Sequence, residues 1–349
     1  MAIRRSVLLV AFSLFSVFAL AGCGGSSGRP PAAKEEPKPK IGLLMDSLDG
    51  RWTRDRDLFV ERVKELDAEV LVEAAGFDDA KQLQQAESLL ERGVQALVVV
   101  PHSAEKAGLI VEAAAKRKVP VISYDRLILK ADVALYFSYD NKKVGEQQAQ
   151  QLRNRAPSGN YILLGGAPTD YNAKLVRQGQ LSALDDGIKR KEIRIVADPW
   201  TPDWKAEAAQ ELTEAALKKA RNQVVAVVAS NDTTAGGAIA ALEKAGLAGK
   251  VVVSGQDANL DAVRRIVAGT QTVTVYKPLR PLARGAASAA VQLAKGEKVE
   301  GTSTIDNGLK QVQAMLLMPI AVTKELVDQI IIADKFHTRE QVYGPAGAK

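Results

Sequence analysis

From Lys40 onward the chain repeats one unit at a spacing of about 25 residues: a short apolar run rich in β-branched residues, then an amphipathic helix. Such alternation builds βαβ units, whose strands lie parallel and whose crossover helices cover both faces of a sheet. Strand-like runs fall at 41–45, 69–73, 96–100, 119–123 and 134–139. The first helix between them carries Phe59, Val60, Val63 and Leu66 on one face, and the second carries Leu83, Ala86, Leu89 and Leu90 before Gly93 ends it. A helix opens at Asn141, and the alternation restarts with runs at 161–164, 193–197, 224–229, 251–254 and 272–276. The expected fold is α/β: two similar doubly wound parallel-sheet domains joined by a multi-strand hinge, with a ligand cleft between them. Residues 40–140 with 279–308 form one expected domain, and 141–278 with 309–349 the other. Pro278 to Pro281 interrupts the pattern, a helix is expected over 282–294, and 301–308 reads as a turn-prone crossing.

The residues before Lys40 read differently. Arg4 and Arg5 precede an apolar run too short for an ordinary transmembrane helix, which suits a signal peptide over 1–22. The run ends in Leu20-Ala21-Gly22-Cys23, which resembles the lipobox of bacterial lipoproteins; Cys23 is the expected lipidation site and the only cysteine in the chain. Residues 23–39 lack apolar periodicity and read as a flexible tether with a coil reach of about 20–25 Å. The body is thus expected in the periplasm or at the cell surface, anchored by lipid to a bacterial membrane. The net charge of +6 includes Arg4 and Arg5, and the remaining basic residues are interspersed with acids, so no nucleic-acid partner is implied.

In open α/β sheets ligands sit beyond the carboxyl ends of the strands. The residues there are Asp46, Asp49, Arg51 and Trp52 after the first run, and Asp125 and Arg126 after the fourth. The second half adds Asp170 and Asn172, Trp200 and Trp204, Asn231 and Asp232, Asp257, and Lys277. Carboxylates, amides, guanidinium and ammonium groups with indole faces suit hydrogen bonding to vicinal hydroxyls and stacking on a sugar ring. Each residue alone has a plainer reading. Asp170, Asn172, Asn231 and Asp257 can cap helices, Arg51 and Arg126 can form surface ion pairs, either tryptophan can be core, and Lys277 can be a hinge residue. Their joint placement at one end of two sheets is what favours a site, with Trp204 preferred over Trp200.

Enzyme chemistry finds little support. His102 and His337 are the only histidines, no cluster has metal-ligand spacing, and the phosphate-binding glycine motifs and the nucleophile elbow are absent from the sequence. No metal or cofactor is expected. Gly165-Gly166 and Gly236-Gly237 read as close-packing or cleft-lining backbone rather than nucleotide sites. Asp125 with Asp257 could form an acid–base pair for glycoside hydrolysis, but Arg126, next to Asp125, argues for a permanently ionised carboxylate.

Several segments resemble a known family. They are Arg51-Trp52, Tyr124-Asp125-Arg126, Tyr139-Asp140-Asn141, Gly165-Gly166-Ala167-Pro168, Asn231-Asp232, Gly255-Gln256-Asp257-Ala258 and Tyr276-Lys277-Pro278. Together they resemble the periplasmic D-xylose-binding proteins of bacterial ABC sugar importers, in the type I periplasmic-binding-protein superfamily, from Lys40 to about His337. The resemblance implies a non-enzymatic, monomeric protein that passes a monosaccharide to an ABC permease. It places sugar contacts on Arg51, Asp125, Arg126, Asp170, Asn172, Trp204, Asn231, Asp257 and Lys277. D-xylose is the expected ligand; ribose, arabinose and galactose, and a chemosensory role, are the alternatives. Two departures bear on which pentose is preferred: the loop from Asp46 to Arg51 is short, and Tyr171 stands where the family has asparagine.

Overall fold

The computed structural model describes residues 37–49 and 51–345. Cys23 and the expected signal and tether up to residue 36 lie outside the described residues. The first half alternates β1 (Lys40–Met45), α1 (Trp52–Glu65), β2 (Glu69–Ala74), α2 (Asp79–Glu91), β3 (Ala96–Val99), α3 (Gly108–Lys116), β4 (Val121–Tyr124) and β5 (Leu135–Tyr139). The second continues with α4 (Asn141–Arg155), β6 (Gly159–Leu164), α5 (Tyr171–Lys189), β7 (Ile193–Ala197), α6 (Ala206–Lys219), β8 (Ala226–Ala229), α7 (Asp232–Lys244), β9 (Val252–Gln256), α8 (Leu260–Ala268) and β10 (Val273–Tyr276). The chain then returns through α9 (Leu279–Ala294), β11 (Ser303–Asp306) and β12 (Gln311–Leu317), and ends with β13 (Ile320–Val322) and α10 (Arg339–Tyr343).

Two sheets result, ordered β11-β12-β5-β4-β3-β1-β2 and β13-β10-β9-β8-β6-β7. All neighbours are parallel except β11 with β12 and β10 with β13. The apolar runs are buried on both faces, as central parallel strands require; every residue of β3 and β4 is buried. Residues 139–141, 276–279 and 317–320 pass between the sheets, giving three crossovers at the base of the cleft. The same region is stiffened by a shared apolar core, in which Val327, Ile331, Phe336 and Val342 pack with Phe59 of α1 and Val263 of α8.

Three expectations are corrected. The segment 301–308 contains strand β11, because residues 303–306 pair with β12 and fill the edge of the first sheet. Strand β12 pairs with β5, so the chain changes halves after residue 317, not at 309. Helix α9 starts at Leu279, with Pro281 in its first turn, where a missing N–H leaves no helical bond unmade.

Three of the four paired glycines close-pack, and Gly236 does not. Cβ atoms on Gly165 and Gly166 would lie 2.7 Å from the Trp200 ring and 2.0 Å from that of Trp204, and one on Gly237 would lie 2.1 Å from the Ala206 carbonyl oxygen. The tightest contact is between α4 and α5. A Cβ on Gly179 would stand 1.9 Å from the Lys142 carbonyl oxygen, and one on Gly145 1.9 Å from that of Val176. Backbone cannot yield as a side chain does, so Gly179→Ala should force the helices apart. The expected loss is about 2 kcal/mol, the overpacking cost outweighing the better helix propensity of alanine. Urea unfolding measures it, and an unchanged midpoint would show that the helices are not seated this closely.

Candidate functional site

The strand ends of both sheets open into one cleft of about 500 Å³. Arg51, Trp52, Asp125, Arg126, Asp170, Asn172, Trp204, Asn231, Asp257 and Lys277 all line it. Asp49 lines it as well, whereas Asp46, Trp200 and Asp232 stand behind its wall.

Arg51 ends the loop after β1, and its guanidinium is almost wholly buried. It donates from Nη2 to Asp125 Oδ2 at 2.5 Å and from Nη1 to Asp55 Oδ2 at 3.4 Å, while Nε lies 3.9 Å from Asp257 Oδ1. Asp125 and Asp55 belong to the first half and Asp257 to the second, so one cation spans the cleft. Lys277 Nζ holds the same Asp257 oxygen at 2.8 Å. Arg126 makes a second crossing: Nη1 donates to Asp46 Oδ2 at 2.7 Å, and Nε forms an ion pair with Asp170 Oδ2 at 3.0 Å. Behind it, His102 Nδ1 is 3.1 Å from Asp46 Oδ1.

The neighbours Asp125 and Arg126 therefore do not pair with each other. The expectation that Arg126 keeps Asp125 ionised holds only as a minor contribution: the side chains diverge, Asp125 having a left-handed backbone, φ +60°, and the direct partner is Arg51. Three side chains hold that conformation by donating to the Asp125 carbonyl: Asn172 Nδ2 at 2.9 Å, Tyr136 Oη at 3.0 Å and Ser138 Oγ at 2.5 Å. Burial opposes ionisation of Asp125, but Arg51, Lys277 and Arg126 outweigh it and hold the carboxyl below the usual range.

The capping and binding readings prove compatible. Asp170 caps α5 through Oδ1, which accepts from Asn172 N, and offers Oδ2 to Arg126. Asn231 caps α7 by accepting from Thr234 N at 2.8 Å and still faces the cleft. Asp257 caps nothing, since α8 begins beyond Asn259. The surface-pair reading fails for Arg51 and Arg126, whose side chains are 8% and 11% exposed.

Two indole surfaces face the space among the described residues. Trp52 lies under the Arg51 guanidinium, 4.2 Å from carbon Cζ to the ring centre, with Arg126 5.6 Å away. Trp204 sits in a 3₁₀ turn, Pro202–Trp204, ahead of α6, its ring over the bare Cα of Gly166. Trp200 instead stacks on the buried Arg177.

Several cleft residues escaped the sequence reading, notably Phe77, Asn141, Asp203 and Gln256. Gln256 donates to the Ser230 carbonyl at 2.8 Å, while its buried Oε1 has no partner among the described residues and is free for a ligand hydroxyl. Its position directly before Asp257, in a segment that already carried the family resemblance, was the available signal. Asp55 was also missed as a site group. It is wholly buried, accepts from Tyr124 Oη, and is pushed by burial up to about 6 despite Arg51.

Arg51, Arg126 and Lys277 answer Asp125, Asp170 and Asp257, which leaves a surface suited to a neutral, polyhydroxylated molecule. Comparison with known proteins agrees. The sequence matches the periplasmic binding protein domain over residues 41–298. The chain belongs to that family. A D-xylose-binding periplasmic protein of Haemophilus influenzae is 48% identical over 305 residues, covering 87% of this chain and 92% of its own. The protein of the same description from Escherichia coli is 45% identical over 304 residues, with 87% and 92% covered. A carbohydrate transporter solute binding protein from Chloroflexus aurantiacus, solved in complex with D-glucose, superposes with a TM-score of 0.82 at 28% identity, covering 87% of this chain and 98% of that one. The expected periplasmic-binding-protein fold of two α/β domains is thereby established.

The buried acids of this periplasmic binding protein predict how its stability depends on pH. Burial pushes Asp232 up to about 7 and Asp55 up to about 6, burial also raises Asp170, and hydrogen bonding to Asp46 raises His102. Across the interval from about 4 to 7 these four groups hold protons in the folded protein that the unfolded chain has released, and they outnumber His337, which burial lowers and which acts in the opposite sense, so stability should fall as pH rises. Urea midpoints should be higher at pH 5 than at pH 8. A rising midpoint over that interval would contradict these assignments.

Proposed function

We propose that this periplasmic binding protein captures a monosaccharide, D-xylose, in the cleft between its two halves and delivers it to an ABC permease, without catalysis. The observation that carries the reading is the convergence of Arg51, Asp125, Arg126, Asp170, Asn172, Asn231, Asp257 and Lys277 on one space bounded by Trp52 and Trp204. Both arginines are already paired, so their remaining N–H groups and the carboxylate lone pairs form a fixed set of donors and acceptors. That set suits hydroxyls, each of which donates and accepts, better than a net charge, which would disturb the balance. The relatives described as D-xylose-binding support the choice of sugar. Ribose, arabinose and galactose are the rivals within the class.

The same reading takes the protein as a monomer held to a membrane by lipid on Cys23. It assigns residues 40–140 with 279–317 to one domain, and 141–278 with 318–349 to the other.

Thermal melting against a panel of pentoses and hexoses tests the substrate. D-xylose at about 100 times its Kd should add about 2.7 kcal/mol of stability; a shift with another sugar and none with xylose would reassign the ligand. Release of product from aryl xylosides would overturn the purely binding role. Trp204→Ala removes the flat surface and Asp257→Ala the acceptor held by Lys277. Each should weaken sugar binding by about tenfold or more, a loss of about 1.4 kcal/mol, while the ligand-free protein stays folded. Isothermal titration measures both, and unaltered affinity in the pair would place the sugar elsewhere.

A further inference from the structure

The loop that presents Asp257 leaves β9 in an unusual conformation. Asp257 and Ala258 have φ of +92° and +52°, two successive side-chain-bearing residues in the left-handed region. Such residues are strained and persist only where their surroundings over-determine them. Here every backbone polar group from Asp257 N to Asn259 N, apart from the Asp257 carbonyl, has a partner. Asp257 N donates to the Val275 carbonyl at 3.0 Å, Ala258 N to Thr274 Oγ1 at 3.1 Å, and Asn259 N to Asp232 Oδ2 at 2.9 Å. The Ala258 carbonyl accepts from His337 Nε2 at 2.7 Å.

These anchors are themselves joined. Thr274 Oγ1 donates to Asp232 Oδ2 at 2.9 Å, and Gln271 Nε2 to Asp232 Oδ1 at 2.8 Å. The carboxylate occupies the space beneath β9 that a side chain at position 255 would need, since a Cβ there would lie 2.1 Å from Oδ1. His337 comes from the C-terminal segment, edge-on to Phe336, whose ring lies under the Arg54 guanidinium of α1 and whose carbonyl accepts from Arg54 Nη1 at 2.7 Å. None of Asp232, Thr274 or His337 lines the cleft.

We propose that Thr274, Asp232 and His337 are positioning residues for sugar capture, holding the left-handed turn at Asp257 and Ala258 so that the Asp257 carboxylate stays between Lys277 and Arg51. The inference rests on the reading of the cleft as a sugar site. Without its anchors the turn relaxes to an ordinary conformation and Asp257 withdraws, while the sheet beneath it persists.

The test is a double-mutant cycle on the full chain, read as the Kd for D-xylose by isothermal titration. Thr274→Val keeps the shape and removes both hydrogen bonds of the hydroxyl. Its Kd should rise about tenfold, and Thr274→Ser should restore it to within a few-fold. In an Asp257→Ala background, Thr274→Val should have almost no further effect, because the residue through which it acts is gone. His337→Ala attacks the turn from the other side, away from β10, and should repeat the pattern should Thr274→Val fold poorly. Wild-type affinity in Thr274→Val and His337→Ala, or full additivity with Asp257→Ala, would overturn the assignment. Absence of sugar binding by the unaltered protein would instead overturn the functional reading, and this inference with it.

Discussion

The contact on which the rest depends is the buried guanidinium of Arg51, set between Asp125 and Asp55 on one side and Asp257 on the other. Removing such charges from water costs several kcal/mol per ion, and their mutual attraction repays this only where the geometry is good. The fold therefore gains little stability from the cluster. What it gains is specificity: the groups that a ligand must meet are fixed before it arrives, so less ordering remains to be done on binding. Arg126 repeats the device with Asp46 and Asp170. Two guanidinium groups bridging the halves also explain why the cleft tolerates so many carboxylates in one place.

Fixing these groups required unusual backbone. Asp125, Asp203, Trp204 and Asp257 all have positive φ, and all line the cleft. A side chain launched from the left-handed region points away from the direction its strand would give it, which is how adjacent Asp125 and Arg126 reach different partners. The strain is held by bonds to rigid elements, such as the three donors on the Asp125 carbonyl from β5 and α5. Loops carry the chemistry here, but sheets and helix ends set where it lies.

Most of the fold was legible because a 25-residue alternation admits few architectures, and the strand ends then identified the cleft residues without knowledge of their contacts. Local chemistry failed where partners are distant in the chain. Nothing in the order Asp125-Arg126 indicates that Arg51, 74 residues earlier, takes the carboxylate. Asp55 reads as an ordinary acid in the first turn of a helix until Tyr124 and Arg51 are seen around it. Strand β11 was hidden because its residues are mostly exposed at a sheet edge and so lack the apolar pattern of the central strands. Pro281 misled for a simpler reason, since proline breaks a helix interior but suits its first turn.

The protonation pattern separates this cleft from a hydrolytic one. Glycoside hydrolysis needs a carboxylic acid able to give up a proton beside a carboxylate in the same space. Asp232 and Asp55, pushed by burial up to about 7 and about 6, do not line the cleft, and each is occupied by neighbours that donate to it. Asp170 does line it and is raised by burial, yet Oδ1 is committed to Asn172 N and Oδ2 to Arg126 Nε. Asp125 is held ionised by Arg51, and Asp257 is bound by Lys277. Asp125, Asp170 and Asp257 are thus each oriented by a cation or a backbone amide, an arrangement that presents their lone pairs to hydroxyls.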